Sequence, residues 1–174
     1  NSVETKQSGV WNEIHLDEVL GDENSIEIEQ EGFWSTARIS SVAGHDNEVV
    51  IDQEGDRNNV TLAEISGEEN SIEIDQEGDY NTVESNIFTG NDNDVMVTQL
   101  GSDNTATFDV IGDENDFDVT QNGDDNTAYV GGLGIDNEYT IMQTGNSNEA
   151  HLVNFNGNEN DVNLTQTGDE NVAV

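Results

Sequence analysis

The stretch Asn70-Ser71-Ile72-Glu73-Ile74-Asp75-Gln76-Glu77-Gly78-Asp79-Tyr80-Asn81 repeats, almost unchanged, the earlier stretch that opens Asn24-Ser25-Ile26-Glu27-Ile28-Glu29-Gln30-Glu31-Gly32. Its residues alternate with period two, which is the signature of a strand whose two faces meet different surroundings. Asn70, Ile72, Ile74 and Gln76 share one face, and Ser71, Glu73 and Asp75 share the other. The chain then turns at a glycine, and a second arm begins at an asparagine. In Asn58-Asn59-Val60-Thr61-Leu62, Val60 and Leu62 point inward together. Ile65 follows three residues later, a slip in the alternation that reads as a bulge or bend. The same columns hold Ile14, Leu16 and Val19, then Ala37, Ile39 and Val42, and later Ala150, Leu152 and Phe155, with Ser85 as a polar intruder.

Working outward, the motif fills the chain. Gln7, Gln30, Gln53, Gln76, Gln99, Gln121, Gln143 and Gln166 lie 23, 23, 23, 23, 22, 22 and 23 residues apart. A glycine follows each one, at Gly9, Gly32, Gly55, Gly78, Gly101, Gly123, Gly145 and Gly168. An asparagine comes next, at Asn12, Asn58, Asn81, Asn104, Asn126, Asn148 and Asn171, and Ser35 alone breaks this column. A second corner pairs Gly21, Gly44, Gly67, Gly90, Gly112, Gly134 and Gly157 with Asn24, Asn47, Asn70, Asn93, Asn115, Asn137 and Asn160. A fixed period of this length marks a repeat architecture.

One arm cannot bury its apolar face alone, so two arms fold face to face as a β-arch and successive arches stack in register. The expected fold is all-β: a two-sheet β-solenoid of strand–turn–strand rungs, amyloid-like in its cross-β stacking, with 22–23 residues per rung. Residues 1–174 form one array, with rungs near 1–23, 24–46, 47–69, 70–92, 93–114, 115–136, 137–159 and an incomplete 160–174. Eight rungs at about 4.8 Å span roughly 38 Å. The ragged ends are those expected of an excerpt from a longer array, and open ladder edges there would template further chains.

Composition fits this reading better than it fits an ordinary globule. Only 32% of the 174 residues are hydrophobic, and 39 acidic residues face 3 basic ones (Lys6, Arg38, Arg57), for a formal charge of -36. Such values suggest disorder, but there is no proline, a residue in which disordered chains are enriched. In a ladder that uses every backbone N–H, its absence is required. The charge argues against nucleic acid and anionic membranes as partners. No apolar run reaches the ~20 residues of a membrane helix. The absence of cysteine removes disulfides and thiolate metal sites.

A buried amide is costly unless its hydrogen bonds are met. Identical Gln and Asn side chains one rung apart can meet them along the axis, and a one-residue slip would bury charge instead. The plainer alternative is that these residues serve only the turns.

With Gln-x-Gly-x-x-Asn repeated through the whole chain, the sequence resembles the curlin repeat family, the major subunits of bacterial curli amyloid fibres. The family pattern runs roughly Ser-x5-Gln-x-Gly-x2-Asn-x-Ala-x3-Gln. Gln30/Gly32, Gln99/Gly101/Asn104/Ala106, Gln121/Gly123/Asn126/Ala128 and Gln143/Gly145/Asn148/Ala150 carry parts of it. Asparagine replaces the opening serine throughout, and Glu18, Ser41, Glu64, Asn86 or Asn154 replaces the second glutamine. The resemblance implies a secreted, self-assembling, cell-surface fibre for biofilm matrix and adhesion. It also implies export through an outer-membrane pore and seeding by a surface nucleator.

Other chemistry is sparse. Glu27, Glu29, Asp52, Glu73, Asp75, Asp94, Asp116, Asp118, Glu138 and Asp161 form an outward comb. It is either a solvated face or a weak divalent-cation binder, and no dedicated calcium loop accompanies it. Trp11, Trp34, Arg57 and Tyr80 share one turn column, suited to stacking or to an adhesive strip. His15 and His151 share a column too far apart to hold one metal. No rung carries a nucleophile–base pair or phosphate loop, so no catalytic residue, resident metal or cofactor is expected. The alternatives are a soluble calcium-dependent solenoid domain of a larger secreted adhesin and an ice-binding solenoid. Thr98, Thr120, Thr140 and Thr165 offer only fragments of the threonine face the latter needs.

Overall fold

The computed structural model describes the chain apart from residues 69, 90, 91, 113, 135, 154–158 and 160, and only the backbone of residues 65, 68, 86–88, 110 and 152. The expected turn residues Gly90, Gly157 and Asn160, the expected core side chains Ile65, Leu152 and Phe155, and Asn86 and Asn154 lie outside the described set.

Among the described residues the first half of the chain forms β1 (Ser2–Val10), β2 (Glu13–Val19), β3 (Ser25–Phe33), β4 (Thr36–His45), β5 (Glu48–Glu54), β6 (Asn59–Glu68), β7 (Ser71–Glu77) and β8 (Thr82–Thr89). The second half forms β9 (Asp94–Leu100), β10 (Thr105–Ile111), β11 (Asp116–Asn122), β12 (Thr127–Val130), β13 (Glu138–Thr144), β14 (Glu149–Leu152), β15 (Asp161–Thr167) and β16 (Val172–Ala173). No described helix is long and apolar enough to cross a membrane.

Odd-numbered strands make one eight-stranded sheet and even-numbered strands the other, each in sequence order. All pairings are parallel, and apart from one shift between β8 and β10 they are in register, so that Gln30 faces Gln53, Gln53 faces Gln76 and Gln76 faces Gln99. The fold is therefore the two-sheet parallel β-solenoid that the period implies. Parallel strands normally need long crossovers. Here each crossover is simply the other arm of the arch.

The inward columns build a dry core. Ile28, Ile51, Ile74, Val97, Val119 and Ile141 stack from one sheet, and Ala37, Val60, Val83, Ala106, Ala128 and Ala150 from the other, all buried. Large rings enter late in the array: Phe117 and Tyr139 occupy the column held earlier by Ile26, Val49 and Ile72, with their ring centroids 4.9 Å apart. Opposite them the chain carries Gly131-Gly132, both buried. A Cβ on Gly132 would meet the Phe117 and Tyr139 rings at 3.5 and 3.6 Å, ordinary contact distances, so Gly132 packs directly beside the rings. Burial pushes the Tyr139 phenol up to about 12.

The slip in the second arm has a backbone cause. Glu18, Ser41 and Glu64 adopt φ of 65, 71 and 56°, each forming a left-handed bulge that turns its side chain outward. The family's second glutamine would stand there, and in this chain those positions face away from the core. The 22-residue spacings follow from the same feature. Between β8 and β10 the register shifts between Phe108 and Val110, where Val110 pairs with Phe88 and one residue of β10 spans two of β8. The shorter units thus omit the bulge residue.

The corner glycines carry the tightest constraint. Gly78 has φ of 114°, and a Cβ built on it would lie 2.1 Å from the carbonyl oxygen of Gly101 in the next rung. The backbones approach too closely there for any side chain. Gly78→Ala is therefore expected to destabilise the fold by roughly 2–4 kcal/mol. Met96→Ala, on the solvent face, should change stability by less than about 1 kcal/mol. Denaturant midpoints of the two variants test this, and equal losses would contradict it.

Candidate functional site: the amide ladders

What repeats along the described residues is a set of axial amide ladders. The glutamine ladder is continuous. Gln7 Nε2 donates to Gln30 Oε1, and the relay runs through Gln53, Gln76, Gln99, Gln121 and Gln143 to Gln166 at 2.7–2.9 Å throughout. Every link points the same way. From Gln30 onward each amide also donates to a carbonyl of the opposite sheet: Gln76 Nε2 reaches the Asn59 carbonyl at 3.4 Å, Gln99 that of Thr82 at 3.1 Å, and Gln143 that of Thr127 at 3.0 Å. One side chain thus ties consecutive rungs together and also the two sheets. Gln30 through Gln143 are completely buried, so these bonds replace water fully.

The asparagine columns work differently. Asn81 Oδ1 accepts the backbone N–H of Asn104 at 3.1 Å and its side-chain amide at 3.1 Å, and Asn104 and Asn126 repeat this toward Asn126 and Asn148. Asn171 does the same to Asn148. The amide of Asn58 also donates to the Gly78 carbonyl at 2.8 Å, as Asn12 does to Gly32. The corner glycines Gly9, Gly32, Gly55, Gly78, Gly101, Gly123, Gly145 and Gly168 all lie at φ between 103 and 130°.

Both asparagine ladders have a fault. The Ser35 backbone N–H donates to Asn12 Oδ1, but Ser35 has no amide oxygen for the N–H of Asn58. On the second corner, Asn24 bonds Asn47, and Asn93 Oδ1 accepts from Asn115, which accepts from Asn137. Between these runs, Asn47 Oδ1, both amide atoms of Asn70 and Asn93 Nδ2 are buried with no hydrogen-bond partner among the described residues, as is the Ser85 hydroxyl within β8. Asn160 lies outside the described residues.

One column is invisible to the Gln-Gly-Asn pattern. Where the residue after a first-corner glycine is Asp or Asn, it reaches back one rung: Asp56 Oδ1 accepts the Phe33 N–H at 3.0 Å, Asp79 that of Asp56 at 2.9 Å, and Asp124 that of Ser102 at 2.9 Å. Asn146 and Asp169 continue it. The recurring Gly-Asp dipeptides were its signal. The next residue is left-handed at every level, including Trp11 and Trp34, whose rings stack at 5.3 Å and 12°. Arg57 lies 5.0 Å from the Tyr80 ring centre and donates to its hydroxyl, so the turn column does stack.

Stacking repeats charge as well as shape. On the odd-strand sheet, Glu29, Asp52 and Asp75 are successive neighbours, as are Glu31, Glu54 and Glu77. Lys6 bonds Glu29 and relieves one end. Farther along, the first column continues as Thr98, Thr120, Met142 and Thr165, and the second as Leu100, Asn122, Thr144 and Thr167. Partial burial, reinforced by their acidic neighbours, raises the carboxyls of Asp52, Asp75 and Asp116 above the ordinary carboxylate value. The folded chain therefore holds these protons more tightly than the unfolded chain. The penalty, desolvation first and repulsion second, is full above the raised values and shrinks as pH falls through them. His15 bonds Glu13 and His151 bonds Glu149, each within its own strand, and no group of three or more His, Asp or Glu among the described residues is placed to hold a metal ion.

Ser35→Asn supplies the missing acceptor in a column already shaped for asparagine, and should stabilise the chain by about 1 kcal/mol. Gln76→Ala leaves the Gln53 donor and the Gln99 acceptor buried and unmet, and should cost roughly 2–5 kcal/mol. Equilibrium denaturation of both variants decides, and a destabilising Ser35→Asn would contradict the ladder account.

No curated protein matches the chain. The curlin associated repeat profile matches residues 1–32, 21–55, 44–78, 90–123, 112–145 and 134–168. After the first, each match opens at a second-corner glycine and all six close at a first-corner glycine, so the profile and the arches share one period. With nearly the whole length matched and the solenoid geometry in place, the chain belongs to the curlin associated repeat family, a structural and non-enzymatic family that self-assembles into extracellular curli fibres.

Proposed function

We propose that the Gln, Gly and Asn columns are the assembly surface of a curli-like fibre subunit, and that residues 1–174 act as one array in it. The supporting observation is the unbroken, unidirectional glutamine ladder from Gln7 to Gln166. Each rung offers the next the same backbone edge, amide donors and apolar columns. A second copy brings that same surface, so its addition repeats bonds the chain already makes internally. The ladder's single direction makes the resulting fibre polar.

The acidic outer comb sets the conditions for growth. Every added copy brings a formal charge of -36 toward a chain of the same sign. Protonation or screening lowers that barrier. The fibre serves biofilm matrix and adhesion at the cell surface, with export through an outer-membrane pore and seeding by a surface nucleator, as the family's chemistry implies. The calcium-dependent adhesin reading finds no donor set among the described residues.

Purified chain should form fibres with a meridional reflection near 4.8 Å. Elongation should quicken as pH falls from 7 toward 5. It should also quicken as ionic strength rises from about 0.01 to about 0.15 M, which shortens the Debye length from ~30 to ~8 Å. A folded β-rich monomer that never elongates contradicts the proposal. Fibre growth indifferent to both pH and salt removes the electrostatic part.

A further inference from the structure

We infer that the neutral half of the odd-strand sheet is a lateral contact surface for a second copy of this chain, one that bundles fibres side by side. This rests on the fibre reading above. In β3, β5 and β7 the two outward columns nearest the glutamine turn are entirely acidic, whereas in β9, β11, β13 and β15 the same two columns carry no charge. The adjoining column is neutral at Met96, Thr140 and Asn163, with Asp118 as its one acid. Met96 and Met142 are 43% and 44% exposed, large flexible apolar side chains on a chain of charge -36.

Charge selects the occupant. An anionic partner meets the flanking acids, and two copies meeting through their acidic halves would oppose carboxylates row on row. Two copies meeting through their neutral halves oppose threonine, methionine and asparagine. Bordered by Asp94, Asp116, Glu138 and Asp161 and holding Asp118, this is the part of the odd-strand face where a second chain meets the fewest like charges.

Area explains why the contact belongs to fibres. Four strands at ~4.8 Å and three columns at about 6.7 Å cover roughly 400 Å². Stable pairs bury about 800 Å² per partner, so isolated chains stay apart. A fibre repeats the patch once per subunit, and simultaneous engagement converts weak contacts into firm bundling.

The test compares fibre width by electron microscopy in four variants of the full chain. T120E/T165E puts acid into the neutral columns, and T82E/T127E adds the same charge to the outward face of the other sheet. E31Q/E54Q/E77Q extends the neutral region, and D103N/D125N/E170Q removes equal charge at the turn. The first should reduce bundle width at least about twofold while its control bundles like wild type. The third should thicken bundles beyond the fourth, and it removes repulsion rather than adding it, so it tests the inference even if the glutamate variant assembles poorly. Fibres whose widths ignore the first and third variants, or follow the controls equally, overturn this inference alone. Absence of wild-type fibres overturns the fibre reading as well.

Discussion

An amide stacked one strand spacing above its own copy can satisfy itself only in register, and this constraint organises the molecule. An unmet buried amide group costs about 1–3 kcal/mol. A one-residue slip would therefore unmake the glutamine ladder at every level while turning Ile28, Ile51 and Ile74 outward. The ladder also reaches the opposite sheet through its second N–H. Register and arch closure thus share one set of side chains. The glycines complete the constraint: with Gly78 and the Gly101 carbonyl this close, only a bare backbone lets corners stack at strand spacing.

The same repetition multiplies whatever the outer face carries. A carboxylate at one level of a column tends to sit beside carboxylates above and below. The chain tolerates this along Glu29–Asp52–Asp75 and abandons it from Thr98 onward. A composition that by itself resembles a disordered chain is thus that of a thin solenoid: little apolar mass is needed when each arch is two strands thick, and everything outward faces solvent.

Much of this could be read directly from the residues. The spacing of Gln, Gly and Asn shows the stack, and period-two alternation separates Ile72 and Ile74 from Glu73 and Asp75. What stayed hidden depends on what neighbouring rungs do to one another. Asn70 matches its column perfectly, yet its amide is unpaired among the described residues. The Asp56–Asp79 caps required knowing that the residue after glycine points back along the axis. The difference between 22 and 23 residues became meaningful only when Glu18, Ser41 and Glu64 proved to be left-handed bulges.

In-register stacking is tested most directly by distances along one outward column. Spin labels at Glu27 paired in turn with labels at Met96, Asp118 and Thr140 are separated by three, four and five strand spacings. The account predicts distances rising linearly through about 14, 19 and 24 Å. Broad distributions, or distances that fail to grow with each added unit, would contradict it.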